Sequence, residues 1–418
     1  MRCAFPPLHY WRIMRKDGWQ GRYQREVQRW ERINIFTGIE GYQRMQFYNL
    51  EFTKEEIRTA VAADRLLSME IEFSRQCNFR CAYCYLDDRT AATGEMSRQE
   101  SKDVILQARE LGARKIIILG GEPSIYPHLE EMLRFLGELR LEIELFTNGT
   151  GVTDQLAGVL AEERVRVVVK MNSRDAATQN RLAGNKDASA IIGRALKRLR
   201  QAGYPSDELF LAASTVICRQ NIAELVELWQ WLRSQRIEPY FEVLTPQANA
   251  LINKWLDVEA AELHALFSRL ATLDREQFGR EWEPQPPLVG NRCMRHQVSC
   301  VVTAQGDVMP CVGVTIPLGN IRHQRLADIL KNSEVMRNLK NYRQTIKGYC
   351  GSCEKSGECY GCRGAAYQMT GDYLASDPTC WHNVQTGCGS TRCLVPPARE
   401  YEHITCLPPA SNAPHKDA

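Results

Sequence analysis

The 418-residue sequence contains no apolar run approaching the roughly 18–20 residues that a membrane span requires, so a transmembrane protein is not expected. It also lacks an excess of either charge. Its 53 Lys and Arg stand against 50 Asp and Glu, and the net +3 gives nucleic acid or an acidic membrane no strong pull. Residues 1–20 alternate basic and aromatic side chains without the apolar segment of a secretory signal, and a cytoplasmic location is expected. Cysteine is nearly missing from Tyr85 to Arg292, where only Cys218 occurs. A disulfide framework would have no reason to leave such a stretch bare. Yet the chain holds 16 cysteines, which in a reducing compartment points to metal or redox chemistry. Three fall at Cys77, Cys81 and Cys84, and eight more lie between Cys293 and Cys380.

Residues 1–66, rich in Arg, Tyr and Trp, read as an extension packed on the main domain, their Trp side chains used for packing. Residues 67–284 carry a regular pattern. Strands are expected at Met69–Ser74, Lys115–Leu119, Glu142–Thr147, Val165–Met171, Leu209–Ile217 and Phe241–Leu244. Between them, Ser97 and Glu100 form a capping-box signature before Val104, Ala108 and Leu111. Leu129, Met132, Leu133, Leu136 and Leu139 recur at helical spacing, as do Ile192, Ala195, Leu196 and Leu199. Asn221 and Glu224 repeat the cap signature before Leu225, Trp229 and Leu232, and Leu263, Leu266, Phe267 and Leu270 mark a last helix. Alternation of this kind implies an α/β fold with a parallel sheet, either doubly wound or a partly closed barrel, with ligands at the strands' C-terminal ends. The Pro-rich stretch Pro284–Pro287 marks a boundary, residues 285–384 a cysteine-rich module, and residues 385–418 a poorly ordered tail.

Cys77, Cys81 and Cys84 place three thiolates on one short loop after the first strand. Three ligands of a cubane leave one iron open, the arrangement of a site that does chemistry; zinc is the plain alternative. This CxxxCxxC spacing, with Tyr83 before the last cysteine, resembles the radical S-adenosylmethionine (SAM) superfamily. Gly120-Gly121-Glu122-Pro123 after the second strand is similar to that family's segment near the SAM amino group. Glycines permit close backbone approach there, and a carboxylate accepts bonds from an ammonium. Thr147-Asn148-Gly149-Thr150 resembles the segment near the SAM ribose. Lys170-Met171-Asn172-Ser173 stands where relatives carry a Ser-Leu-Asp-Gly type sequence, and Arg181 where they often hold the SAM carboxylate. Lys170 departs from the common serine; it could pair with that carboxylate or shape the substrate pocket. The resemblance implies a partial (β/α)6 barrel and a [4Fe–4S] cluster on Cys77, Cys81 and Cys84. It also implies reductive cleavage of SAM to a 5′-deoxyadenosyl radical that takes a substrate hydrogen.

The second cysteine region runs Cys293, Cys300, Cys311, Cys350-x2-Cys353-x5-Cys359-x2-Cys362 and Cys380, with Gly306 five residues before Cys311. It is similar to the SPASM extension of radical SAM enzymes, although paired CxxC motifs also suit zinc ribbons. The resemblance implies two auxiliary [4Fe–4S] clusters. One would be bound by Cys293, Cys311 and Cys362 with Cys300 as a possible fourth ligand, the other by Cys350, Cys353, Cys359 and Cys380. Full ligation of both favours electron transfer over substrate binding. Cys3, Cys218, Cys388, Cys393 and Cys406 read as plain thiols, Cys218 as core filler.

Tyr240 and Glu242 near the sixth strand's end are acid–base candidates, with ordinary strand polarity as the alternative. His128, His264, His296 and His323 read as surface or capping residues, and Asp307 as a turn residue. Asp372 and Asp377 could serve as a base near a cluster. SPASM-bearing enzymes mostly modify peptides or proteins, so the expected activity is an oxidoreductase-type maturase with a peptide or protein substrate, served by a ferredoxin or flavodoxin reductant. Residues 1–66 do not clearly show the winged-helix element that many peptide modifiers carry. The rivals are oxidation or epimerisation of a small molecule such as a sugar or aminocyclitol, maturation of a metalloenzyme cofactor, and a non-catalytic zinc-stabilised binding module.

Overall fold

The computed structural model describes residues 52–86 and 93–383. The tail 385–418 and residues 1–51 of the expected extension lie outside them, as do Cys3, Cys388, Cys393 and Cys406. From the extension the structure describes helix α1 (Lys54–Ala62), opened by a capping box between Thr53 and Glu56. Its Ile57 and Ala60 pack with Phe52, Leu67 and Val298, which ties this helix to the C-terminal module.

Six strands alternate with helices through the core: β1 (Ser68–Glu72), α2 (Arg98–Glu110), β2 (Lys115–Leu119), α3 (Leu129–Glu138), β3 (Glu142–Thr147), α4 (Asp154–Glu162) and β4 (Arg166–Lys170). There follow α5 (Ala176–Ala183), α6 (Ala188–Gln201), β5 (Leu211–Ile217), α7 (Leu225–Ser234), β6 (Glu238–Val243) and α8 (Ala260–Phe278). Adjacent strands are parallel and ordered β6-β5-β4-β3-β2-β1. A doubly wound sheet reverses direction at a switch point. This order does not, so the sheet is a partial barrel that never closes. Its β1 edge is continued by β7 (Val301–Val302), parallel to β1, and then by the antiparallel β8 (Asp307–Met309) and β9 (Gly319–Asn320). The cysteine-rich module is thus built onto the core sheet. None of the described helices is long and apolar enough to cross a membrane.

The period of two sorts the strand residues onto two faces. Met69, Ile71, Ile116, Ile118, Ile143, Leu145, Val167 and Val169 join the core that the helices cover. The alternate positions turn to the opposite face and include Glu70, Glu72, Glu144, Lys170, Ser214, Tyr240 and Glu242. A charged interior of this kind costs folding energy unless it is paired, as Glu70 is with Arg295 and Glu242 with Lys170.

The capping box at Ser97 forms as its spacing predicts, with Ser97 Oγ accepting from Glu100 N and Glu100 accepting from Ser97 N. Asn221 does not repeat it. A 3-10 turn (Ile222–Glu224) intervenes before α7, and the buried Asn221 amide instead donates to the Asn172 and Val216 carbonyls and accepts from Cys218 N. Helix α4 supplies the crossover between β3 and β4 that the alternation implies, and α5 precedes α6 in the next one. Asp307 opens β8 and accepts from Asn320 Nδ2, rather than making a turn.

Candidate active site

The loop Cys77–Cys84 leaves β1 and is held from three directions. Arg80 N and Ala82 N donate to the carbonyls of Ala183 and Leu182, each at 3.0 Å. Asn249 Nδ2 and Asn253 Nδ2 donate to the Cys81 and Ala82 carbonyls at 3.0 and 2.8 Å. From the turn after β2, Gly121 N and Glu122 N donate to the carbonyls of Ser74 and Gln76 at 2.9 and 2.8 Å. Gly120 has φ +121°, and a Cβ on Gly121 would lie 2.1 Å from the Gln76 oxygen. Close backbone approach is therefore why glycines occupy this turn.

The three thiols share one field. Burial pushes Cys81 up to about 12, with the charges of Cys84 and Cys77 acting the same way. Such a group of thiolates needs cations to hold it, and iron in a cubane meets that need. The donor chemistry fits a cluster at Cys77, Cys81 and Cys84. Tyr83 is half-buried beside them and its hydroxyl accepts from Asn172 Nδ2 at 2.5 Å. Burial and then the Cys81 charge raise its phenol well above the ordinary range, so it stays protonated.

Glu122 is buried and turned toward the chain. Its Oε1 accepts from Ser124 N at 2.9 Å and from the Thr147 hydroxyl, and its Oε2 accepts from Asn148 N at 2.5 Å. Burial raises its pKa against these bonds. Pro123 starts the short 3-10 turn that this carboxylate caps. Asn148 in turn donates to Asn78 Oδ1 at 3.1 Å, docking the turn after β3 onto the cysteine loop. Asn172 is fully buried. It accepts from Val216 N at 2.9 Å and receives the Asn221 amide on its carbonyl, so it ties β4 and β5 to Tyr83.

Lys170 ends β4 on the interior face. Its ammonium donates to Ser214 Oγ at 3.0 Å, pairs with Glu242 Oε1 at 3.4 Å and lies 5.2 Å from the Tyr83 ring centre. Glu242 is thus brought to this group. Tyr240 lies deeper, receiving a hydrogen bond from Arg295 Nη2 at 3.0 Å, while Arg295 Nε pairs with the buried Glu70 at 3.1 Å. Arg181 is not brought to the group. It is exposed on α5, its guanidinium stacked over Trp255 at 4.8 Å.

None of the twelve described cysteines is in a disulfide. In the C-terminal module, Cys350, Cys353, Cys359 and Cys380 line one cavity with Gln285, Tyr349 and His382. Four thiols around one space fit a cubane. Beneath it, the fully buried Asp377 accepts from Cys362 N at 2.7 Å and from Thr379, and its own amide donates to Cys350 Sγ at 3.3 Å. Cys293, Cys311 and Cys362 form a second group: burial, and then the Cys293 charge, push Cys311 up to about 12. Cys362 is raised by burial, Asp377 and both other cysteines.

Cys300 does not join that group. It is fully buried in the core that the helices cover, and the charges that reach it are those of Glu70 and Lys340. It precedes β7, where alternation turns its side chain into the apolar layer. His296 corrects a second expectation, being buried rather than at the surface, with Nδ1 unpartnered among the described residues and its ring 5.2 Å from Tyr360. Burial, then Arg363 and Arg295, hold it down at about 3, so it is neutral. His128, His264 and His323 are exposed, and Cys218 is buried with Leu182 and Leu256. Sequence reasoning missed Glu70, Arg295, Arg363 and the role of Asp377. Only Glu70 left a signal, as a charge alternating with apolar residues in a buried strand.

A partial barrel with a three-cysteine loop at its first strand, extended by a module holding two further cysteine groups, defines a SAM-radical type of iron–sulfur protein. Comparison with known proteins agrees. The radical SAM superfamily profile matches residues 71–232, and an iron–sulfur cluster-binding SPASM domain profile matches residues 293–354. The chain belongs to the radical SAM superfamily and carries a SPASM domain, so it is an enzyme of the kind that uses SAM and iron–sulfur clusters, and the zinc-module reading falls. It is 26% identical over 344 residues to an AdoMet-dependent heme synthase of Methanosarcina barkeri, covering 76% of this chain and 96% of the other. It is 29% identical over 338 residues to a PqqA peptide cyclase of Streptomyces rochei, covering 75% and 88%. Among solved structures, Streptococcus suis SuiB bound to precursor peptide SuiA shares the fold at TM-score 0.61 and 16% identity, covering 86% and 88%.

Proposed function

We propose that this enzyme performs a net oxidative modification of a peptide or protein substrate at the interior face of the partial barrel. The observation that carries the reading is the pairing of an open three-cysteine loop at one end of the barrel with two cysteine groups in the module joined to its edge. When bound, SAM and the cluster on Cys77, Cys81 and Cys84 would supply a 5′-deoxyadenosyl radical, and a ferredoxin or flavodoxin would supply the electron.

The chain's own residues orient these groups and keep water out. Gly120 and Gly121 let the turn after β2 lie against the cysteine loop. Glu122 fixes the turn after β3, and its Oε2 retains lone-pair capacity for an incoming ammonium. Tyr83, bonded by Asn172, anchors the loop to the residues that follow β4. Lys170 and Glu242 face the chamber as an ion pair, and Glu242 would take the proton released when a substrate radical is oxidised. The two auxiliary groups would accept the electron. With Cys300 elsewhere, Cys293, Cys311 and Cys362 supply three protein ligands, which weakens the argument from full ligation for that cluster but leaves it intact for Cys350, Cys353, Cys359 and Cys380.

A heme precursor is the second reading. It is favoured by the heme synthase relatives and by the interior cations Lys170 and Arg295, for whose pairing an acidic substrate would compete with Glu242 and Glu70.

Anaerobically reconstituted protein should release 5′-deoxyadenosine with SAM and a strong reductant, and a Cys77/Cys81/Cys84→Ala triple variant should release none. Release from the triple variant at the wild-type rate sinks the assignment. Lys170→Met divides the open question at that residue: a raised KM for SAM means pairing with its carboxylate, whereas a raised KM for substrate alone means a pocket role.

A further inference from the structure

Arg363 follows Cys362 and opens helix α9 (Arg363–Thr370). Its side chain is among the largest fully buried ones in the protein, at 1% exposure. Nη1 is anchored, donating to the carbonyls of Tyr373 at 3.1 Å and Ala375 at 2.6 Å. Nε and Nη2 have no hydrogen-bond partner among the described residues. A guanidinium cannot shed its charge, and leaving the N–H groups of two of its nitrogens unsatisfied in the interior is costly. The nearby carboxylates do not relieve it. Asp372 pairs with Lys347 at 2.7 Å, and the oxygens of Asp377 accept from Cys362 N and Thr379.

Nη2 lies at the edge of the four-cysteine cavity. The position a Cβ on Gly361 would take is 2.8 Å from Arg363 Nη2 and 3.3 Å from Cys350 Sγ, so the guanidinium edge and the thiol flank the same point. Gly361 and Cys350 both line the cavity. The absence of a side chain at Gly361 keeps the path between them open.

We propose that Arg363 donates an Nη2–H to a sulfur of the auxiliary cluster held by Cys350, Cys353, Cys359 and Cys380, and thereby sets that cluster's reduction potential. The inference rests on that cluster being bound there. Sulfur atoms of a reduced cluster carry more negative charge, so a fixed cation and an N–H···S bond favour the reduced form. Arg363 is a positioning and tuning residue that makes this cluster a better electron acceptor.

The test uses the full chain with the first cluster removed by the Cys77/Cys81/Cys84→Ala substitutions. With ¹⁵N-labelled arginine, pulsed electron paramagnetic resonance of the reduced protein should show an arginine nitrogen coupled to a cluster, and Arg363→Gln should abolish it. Redox titration should show Arg363→Gln shifting the reduced-to-oxidised ratio at the wild-type midpoint about tenfold toward oxidised, which is ~59 mV lower for one electron. Arg363→Lys should recover part of the shift. The labelling readout needs no variant, so it decides the question even if Arg363→Gln loses its cluster. No arginine coupling in cluster-bearing protein, or an unmoved potential, overturns the inference alone. Iron content that does not fall on Cys353→Ala overturns the cluster assignment beneath it.

Discussion

Gly121→Ala tests how tightly the turn after β2 positions the catalytic loop. The added methyl would sit 2.1 Å from the Gln76 oxygen and 2.4 Å from the Arg75 oxygen, both backbone atoms. An ordinary carbon–oxygen contact is about 3.3 Å, so loop and turn must separate by about 1 Å. Gly121 is not among the positive-φ glycines, so the effect is steric alone. Gln76 adjoins Cys77, and the displacement passes directly to the thiols. A misplacement of about 1 Å costs on the order of 10²-fold in rate. We expect 5′-deoxyadenosine formation to fall about a hundredfold, with iron lost from the first site and retained in the auxiliary module. Gly158→Ala in α4 is the control. Its Cβ would meet nothing within 4 Å, and a helical glycine replaced by alanine should gain up to ~1 kcal/mol in stability without loss of rate. A Gly121→Ala enzyme with full iron and a wild-type rate would refute the argument that close approach positions the loop.

Cys353→Ala should leave 5′-deoxyadenosine formation intact while product is lost and substrate is returned or diverted; a folded variant lacking that cluster yet making normal product would mark the cluster as structural. Wild-type protein should hold about twelve irons and the Cys77/Cys81/Cys84→Ala variant about eight, four per cubane, so retained zinc would count against the auxiliary assignment. The Glu100 carboxyl is held down at about 2, first by Arg322, whose Nε donates to it at 2.6 Å, and then by the Ser97 backbone. Because its folded pKa is depressed, the stability it adds is present above the unfolded carboxylate pKa and is lost as pH falls toward about 2. The pair is partly exposed, so Glu100→Gln should cost only ~1 kcal/mol near neutral pH, and the gap to wild type in denaturant titrations should close in acid. A gap independent of pH would assign the loss to shape.

The sequence alone determined the chemistry of the first site, because its residues are neighbours in the chain. Three cysteines in eight positions, a Gly-Gly-Glu turn and a Thr-Asn-Gly turn are each local, and the strand periods around them place all three at one end of a parallel sheet. The strand runs Lys115–Leu119 and Glu142–Thr147 were legible to the residue for the same reason, since a buried strand writes its limits in its own apolar pattern. The tertiary structure decided what depends on pairing across long separations. It distinguished an open barrel from a doubly wound sheet, which have the same local pattern and differ only in strand order. It sent Cys300 into the apolar layer, away from Cys293, Cys311 and Cys362, a sorting that spacing cannot predict because either face of a strand is equally near in sequence. It turned Glu122 onto Thr147 and Asn148, stacked Arg181 over Trp255, and joined Arg295 of the C-terminal module to Glu70 in the first strand. A buried charge seeks whichever partner the fold brings within reach, and only the folded chain fixes which one that is.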